Sequence, residues 1–494
     1  MKRVAFCLII LACLSGCRQN IEPSLATSTE VSTPAPSPSA TPDLLEPANL
    51  PTNSPSATPL PPQQNPRYTI SAVFNYGQQF VSVDQAILYT NNAPETLHDL
   101  DMMVEPNQNA GVFRLVSFTW ADGRAVRDFS LDNNLLHLVL PQPLDPNGQI
   151  ELHLKFELTL PAIPPPSNDQ RPVPFGYTSK QTNLVDWYPY IPPYVPGKGW
   201  LAHKPWFYGE HQVYPMADFD VTIQLVNPPK DLVVAASAPA KQEGNKIAYT
   251  HKTARNFVLS ASPYYKMFAQ QVGEVTVLSY AFSFDIAAGK AALEYTSEAL
   301  NLFAKLFSPY PHPTLTVVEA DFLDGMEYDG LFFLSRGFYN IYGGTPQGYL
   351  AAIASHETGH QWFYARVGDD QALEPWLDEA LATYCESIFY KNLYLDYLKW
   401  WWDYRVDYYI PAGKINLQIY DYTGYRAYRD AVYLNGVHFL DDLRILIGDD
   451  AFYAFLQDYS IKFTDRIATA PDFFAVLKQH TNKDFSAIVA KYFK

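Results

Sequence analysis

Between residues 68 and about 265 the chain alternates apolar and polar positions with period two, punctuated by Pro, Gly, Asn and Asp. The clearest run is 150–160, where Ile150, Leu152, Leu154, Phe156, Leu158 and Leu160 interleave with Glu151, His153, Lys155, Glu157 and Thr159. Successive side chains on a strand point to opposite faces, so this run predicts a strand buried on one side only. Shorter runs at 81–89, 111–120, 219–226 and 232–237 repeat the pattern and together predict a mostly antiparallel β-domain over 67–267. A Pro- and aromatic-rich stretch at 186–206 interrupts it and reads as a long surface or cleft loop. After about Met267 the spacing lengthens to that of helices, at 287–307, 347–366, 375–394, 431–447 and 449–463. Residues 315–320 and 325–333 read as strands of a small sheet. The fold class expected is α+β: an N-terminal antiparallel β-domain, then a mainly helical domain over 268–494.

Composition adds an address and removes a class of partner. Of 494 residues, 48% are hydrophobic and 15% aromatic, enough to bury the cores of two such domains. Lys and Arg number 35 against 51 Asp and Glu, a net charge of −16, and no basic patch offsets it, so nucleic acid is not an expected partner. Met1, Lys2 and Arg3 precede the apolar run 4–14, which is shorter than the roughly 20 residues that span a membrane. That predicts an export signal over 1–16. Leu14-Ser15-Gly16-Cys17 resembles a bacterial lipobox, which implies cleavage before Cys17 and a lipid on that residue; a plain signal peptide is the alternative. The lipid would anchor the chain at the extracytoplasmic face of a bacterial cell envelope. With Cys7 and Cys13 lost and Cys17 acylated, only Cys385 remains and no internal disulfide is expected. Residues 17–66 read as a tether, since 21–66 carry 12 of the 40 prolines among Ser, Thr, Ala and Asn and cannot build a core.

The chemistry lies in the segment 347–366, which contains His356-Glu357-Thr358-Gly359-His360. Residues four apart share a helix face, so the two imidazoles can reach one ion while Glu357 holds a carboxylate beside the water that the ion activates. A hydrolytic zinc site needs a third protein ligand and an open position. The metzincin spacing fails, because Phe363 and Arg366 stand where it requires Gly and His. Glu379, after 18 intervening residues and within Trp376-Leu377-Asp378-Glu379-Ala380, can instead be presented by a second helix.

Those residues, with Gly325-Met326-Glu327-Tyr328 lying upstream, resemble the gluzincin aminopeptidases that include aminopeptidase N. His360-Gln361-Trp362 resembles the family's His-Gln-Trp, Trp376 to Ala380 its Trp-Leu-Asn-Glu-Gly, and Tyr433-Leu434-Asn435-Gly436 its Tyr-x-Lys-Gly. The resemblance implies a saddle-like β-domain ahead of a thermolysin-like domain; only 61 residues follow Tyr433, so the large C-terminal helical domain of bigger relatives is not expected. It implies one zinc per chain held by His356, His360 and Glu379, with Glu357 as general base and Tyr433 as oxyanion donor, Tyr428 being the fallback. Glu327 would pair with the free amine of a peptide substrate, and Gly325 and Met326 would line its backbone. Asp378, Thr383 and Glu386 are candidates to orient the ligands, and Glu210 is a candidate second anchor from the β-domain. Two departures stand out: Gly359, with Thr358, weakens the zinc helix by about 1 kcal/mol relative to Ala, and Tyr328 replaces the usual Asn, which suggests a more aromatic first pocket. The expected activity is removal of N-terminal residues from peptides. An endopeptidase that makes no use of Glu327, and a non-catalytic envelope protein that binds peptide, are the competing readings.

Overall fold

The run of alternating residues folds as strand Gln149–Thr159, with Leu152, Leu154, Phe156 and Leu158 fully buried and Glu151 and Lys155 in solvent. In the computed structural model, which describes residues 64–165 and 170–494, this strand lies inside a seven-stranded sheet. From edge to edge the order is Ala240–Glu243, Lys246–Ala254, Ala217–Val226, Arg67–Asn75, Phe80–Thr90, Gln149–Thr159 and Phe113–Trp120. All neighbours are antiparallel except Arg67–Asn75 with Ala217–Val226. Among the described residues a three-stranded sheet, a four-stranded sheet and the short pair Tyr194–Val195 and Gly199–Trp200, inside the expected loop 186–206, complete the β-domain. The export signal, Cys17 and the tether up to residue 63 lie outside the described residues.

The helical half does not open on a helix. Its first elements are the hairpin Tyr265–Val272 and Val275–Phe282, which join Thr314–Ala320, Leu331–Ser335 and Gly325–Tyr328 in a five-stranded sheet. Thr314–Ala320 and Leu331–Ser335 run parallel and every residue of both is buried, the pattern of strands covered on both faces. Helix Ile286–Leu306 packs against one side of the sheet through its apolar face, and the β-domain meets the other, where Thr316 Oγ1 donates to the Ala236 carbonyl at 3.1 Å. Gly325–Tyr328 is left as the terminal strand of this sheet.

Helices Tyr349–Gly359 and Trp376–Leu393 form the floor behind that strand. They approach closely because Gly359 lacks a side chain: a Cβ there would lie 2.9 Å from Cys385 Cβ. The helix-weakening glycine of the sequence is thus the last residue of a helix shorter than the predicted 347–366, placed where two helices touch. His360 follows as its cap in helical backbone, which keeps the four-residue step from His356. The chain between the helices is held by Arg255 of the β-domain, whose buried guanidinium donates to the carbonyls of Ala365 (2.8 Å), Tyr214 (2.7 Å) and Arg466 (3.0 Å). Five donors in a fixed fork allow one residue to pin three segments at once.

Candidate active site

The two histidines and Glu379 converge at the bottom of a cleft of about 260 Å3. His356 Nε2 and His360 Nε2 are 3.0 Å apart, and Glu379 Oε2 lies 3.4 Å and 3.5 Å from them. Ligands roughly 2.0–2.1 Å from a tetrahedral centre are separated by about 3.3–3.4 Å, so three sides of a zinc polyhedron are already drawn. Glu379 Oε2 is buried without a hydrogen-bond partner while Oε1 accepts from the Tyr433 hydroxyl, so one oxygen is held and the other is left for a cation. The donor set fits one zinc. Glu379 also occupies the first turn of its helix, where the dipole favours a carboxylate.

Each imidazole is oriented through its other nitrogen. His360 Nδ1 is 2.6 Å from Asp378 Oδ1, and His356 Nδ1 is 3.1 Å from Glu386 Oε1. Glu386 is fully buried and its second oxygen accepts from Trp401 Nε1 (2.7 Å) and Arg405 Nε (3.0 Å). Thr383, the third orienting candidate, does not reach a ligand: its hydroxyl donates to the Glu379 carbonyl at 2.7 Å inside the helix.

Glu357 points into the same cleft with Oε2 unpartnered. Burial, and then the neighbouring Glu327 and Glu379, push its carboxyl well above the ordinary range. Burial does the same to Glu327 and Glu379. His360 is pulled two ways: burial disfavours its charge, but Asp378 and Glu327 beside it raise its pKa to about 9. Gly325 faces Glu357 so closely that a Cβ would overlap its carboxylate and come within 3.0 Å of Ile353 Cγ2. Gly325→Ala is therefore expected to displace Glu357 and lower kcat by at least about 10-fold with the metal still bound, read by steady-state kinetics beside metal analysis.

Glu327, Met326 and Glu210 also line the cleft. Glu210 is engaged by Arg171, whose Nη1 lies 3.5 Å from Oε1. Tyr433 lies on the cleft wall, its ring 6.0 Å from and nearly parallel to that of His356. It belongs to a π-helical turn, Asp430–Asn435, that leads into helix Gly436–Ile447. Tyr428 turns away: its hydroxyl lies against Gly209 and it does not line the cleft. Tyr328 also departs from expectation, since its buried side chain reaches toward Asp186 (3.4 Å) and leaves the cleft wall. The aromatic lining comes from Tyr208, Phe338, Tyr349, Tyr409, Tyr425 and Tyr433 instead. Arg405 and Gln371 were not legible as site residues, the first lying in a Trp-rich run and the second inside the spacer between the metal ligands.

Residues 291–492 match the peptidase family M1 domain, a span that holds every residue of the metal site. Over 225 residues the chain is 25% identical to "Aminopeptidase M1-A" of Oryza sativa subsp. japonica, a match covering 42% of this chain and 25% of that protein. The chain thus spans about a quarter of the length of that relative. Two structures of a mutant M1 zinc metallopeptidase from Deinococcus radiodurans resemble it over 87% of this chain and 95% of theirs. The first has a TM-score of 0.60 at 17% identity, and the second, bound to a Tyr-Ser-Ala substrate, 0.62 at 18%. At that identity they speak for the fold alone, a β-domain followed by a mainly helical domain.

Proposed function

We propose that this chain is a zinc aminopeptidase of the M1 kind, which removes residues from the free N-terminus of peptides. The observation that carries this reading is the position of Glu327, a buried carboxylate on the cleft wall beside Glu357 and the metal-binding triad. Gly325–Tyr328 is a terminal strand, so an extended peptide can add to its edge by main-chain hydrogen bonds. A peptide amine paired with Glu327 would place the first peptide bond toward Gly325 and Glu357. The leaving chain would then pass Asp324 and Leu323.

Zinc, when bound, polarises the carbonyl and supplies a nucleophile from water near neutral pH. Glu357, whose Oε2 is free, takes the proton from the attacking water and returns it to the departing amine. Tyr433 donates its hydroxyl to the oxygen on which charge develops, after leaving Glu379. Asp378 and Glu386 hold His360 and His356 in the tautomer that presents Nε2 to the ion.

Glu327→Ala separates this reading from an endopeptidase. It is expected to cost about 10- to 100-fold in kcat/KM on peptides with a free amine and to leave the slow cleavage of N-acetylated peptides unchanged. An equal loss on both would contradict the anchor. We further propose that Cys17 carries a lipid holding the chain at the extracytoplasmic face of the cell envelope, on the strength of the lipobox-like Leu14 to Cys17. The Cys17→Ser chain is expected to leave the membrane fraction; its retention there would count against the anchor.

A further inference from the structure

Gln371 lies in the 18-residue spacer between His360 and Glu379, and its side chain is buried. Its Nε2 donates to two carboxylates: Glu327 Oε1 at 3.2 Å and Asp378 Oδ2 at 2.8 Å. Carboxylate oxygens only accept, so the amide must turn its nitrogen to both, which fixes its orientation. Asp378 Oδ1 in turn meets His360 Nδ1 at 2.6 Å. One continuous chain of hydrogen bonds therefore runs from the carboxylate that lines the substrate end of the cleft to a metal ligand.

We propose that Gln371 is a positioning residue that locks Glu327 into place for the substrate amine and couples it to the metal through Asp378 and His360. The proposal rests on Glu327 being the amine anchor. A neutral amide suits the task, because it satisfies two buried carboxylates without adding charge to a site that already holds Glu327, Glu357, Asp378 and Glu379. Holding Glu327 by Oε1 leaves Oε2 for the incoming ammonium. The loop that carries Gln371 is itself fixed on both sides. Asp370 bonds His203 of the β-domain at 2.9 Å, and the Ala372 carbonyl accepts from the Ile419 N–H at 2.9 Å. A group backed by such supports is held to a fraction of an ångström, the tolerance that substrate positioning requires.

The test uses the full chain and four forms: parent, Glu327→Ala, Gln371→Leu and the double variant. Gln371→Met, close in size to the native residue but with both donors removed and no charge added, is run in parallel so that a packing defect in one variant does not decide the outcome. Two quantities are read: the ratio of kcat/KM on a free-amine tripeptide to that on its N-acetylated form, and the zinc affinity in competition with a chromophoric chelator. Gln371→Leu and Gln371→Met are expected to lower the ratio about 10-fold or more, mainly through KM, and to weaken zinc about 5-fold. In the Glu327→Ala background the change at Gln371 should have no further effect on the ratio, because no anchor is left to position. If Glu327→Ala lowers the ratio but both Gln371 variants keep the parent ratio and zinc affinity, the positioning role is wrong while the anchor stands. If Glu327→Ala leaves the ratio untouched, the anchor itself falls. Equal loss on both substrates with unchanged zinc affinity would reduce Gln371 to a packing role and overturn the proposal.

Discussion

Replacing Glu357 by Gln is expected to lower kcat by about 10²- to 10⁴-fold while zinc stays bound in one equivalent. The amide keeps the shape of the side chain and its place against Gly325, so the metal ligands are undisturbed. What it loses is the ability to accept a proton. Burial and the carboxylates of Glu327 and Glu379 raise the proton affinity of Glu357, the property a base needs if it is to hand the proton on to the leaving amine. KM should change little, since in the proposed reading the amine pairs with Glu327 and the backbone with the strand Gly325–Tyr328, neither of which the substitution touches. Stopped-assay kinetics and metal analysis on the same preparation check both halves. Activity within a few-fold of the parent would remove Glu357 from the reaction.

Stripping the metal with a chelator is expected to abolish activity and to lower the melting temperature, with both restored by zinc. Four buried carboxylates, Glu327, Glu357, Asp378 and Glu379, crowd the two imidazoles, and Glu379 Oε2 and Glu357 Oε2 have no protein partner. Buried charge without a counter-charge is costly, and a ligand that binds only the folded state stabilises it by mass action, about 2.7 kcal/mol at a hundred times its dissociation constant. Differential scanning with and without chelator reads the effect. An unchanged melting point together with retained hydrolysis would show that the triad His356, His360 and Glu379 holds no functional ion.

Much of this site was legible in the sequence because its chemistry sits in short local patterns. The four-residue step between His356 and His360 survives even though the helix ends at Gly359, since the cap residue keeps helical backbone. The strand Gln149–Thr159 differs from the predicted 150–160 by one residue at each end, because half-burial imposes strict alternation. The hairpin Tyr265–Phe282 was missed and the predicted boundary at 267 cuts its first strand, since that outer strand is largely exposed and carries little apolar signal. Long-range partners left no local trace. Arg405 reaches Glu386 across 19 residues, Gln371 reaches Glu327 across 44, and Arg255 pins a loop more than 100 residues away. Only the folded chain could show that Tyr328 turns toward Asp186, or that Tyr433 rather than Tyr428 faces the metal site.

The most direct test of exopeptidase chemistry at this zinc site is mass spectrometry of a decapeptide digest over time, with the parent chain and Glu357→Gln side by side. The expected result is a ladder shortened from the N-terminus one residue at a time by the parent, none by Glu357→Gln, and much slower shortening, still from that end, once the peptide is N-acetylated. Internal fragments from the acetylated peptide, or no cleavage by a chain with one zinc bound, would contradict it.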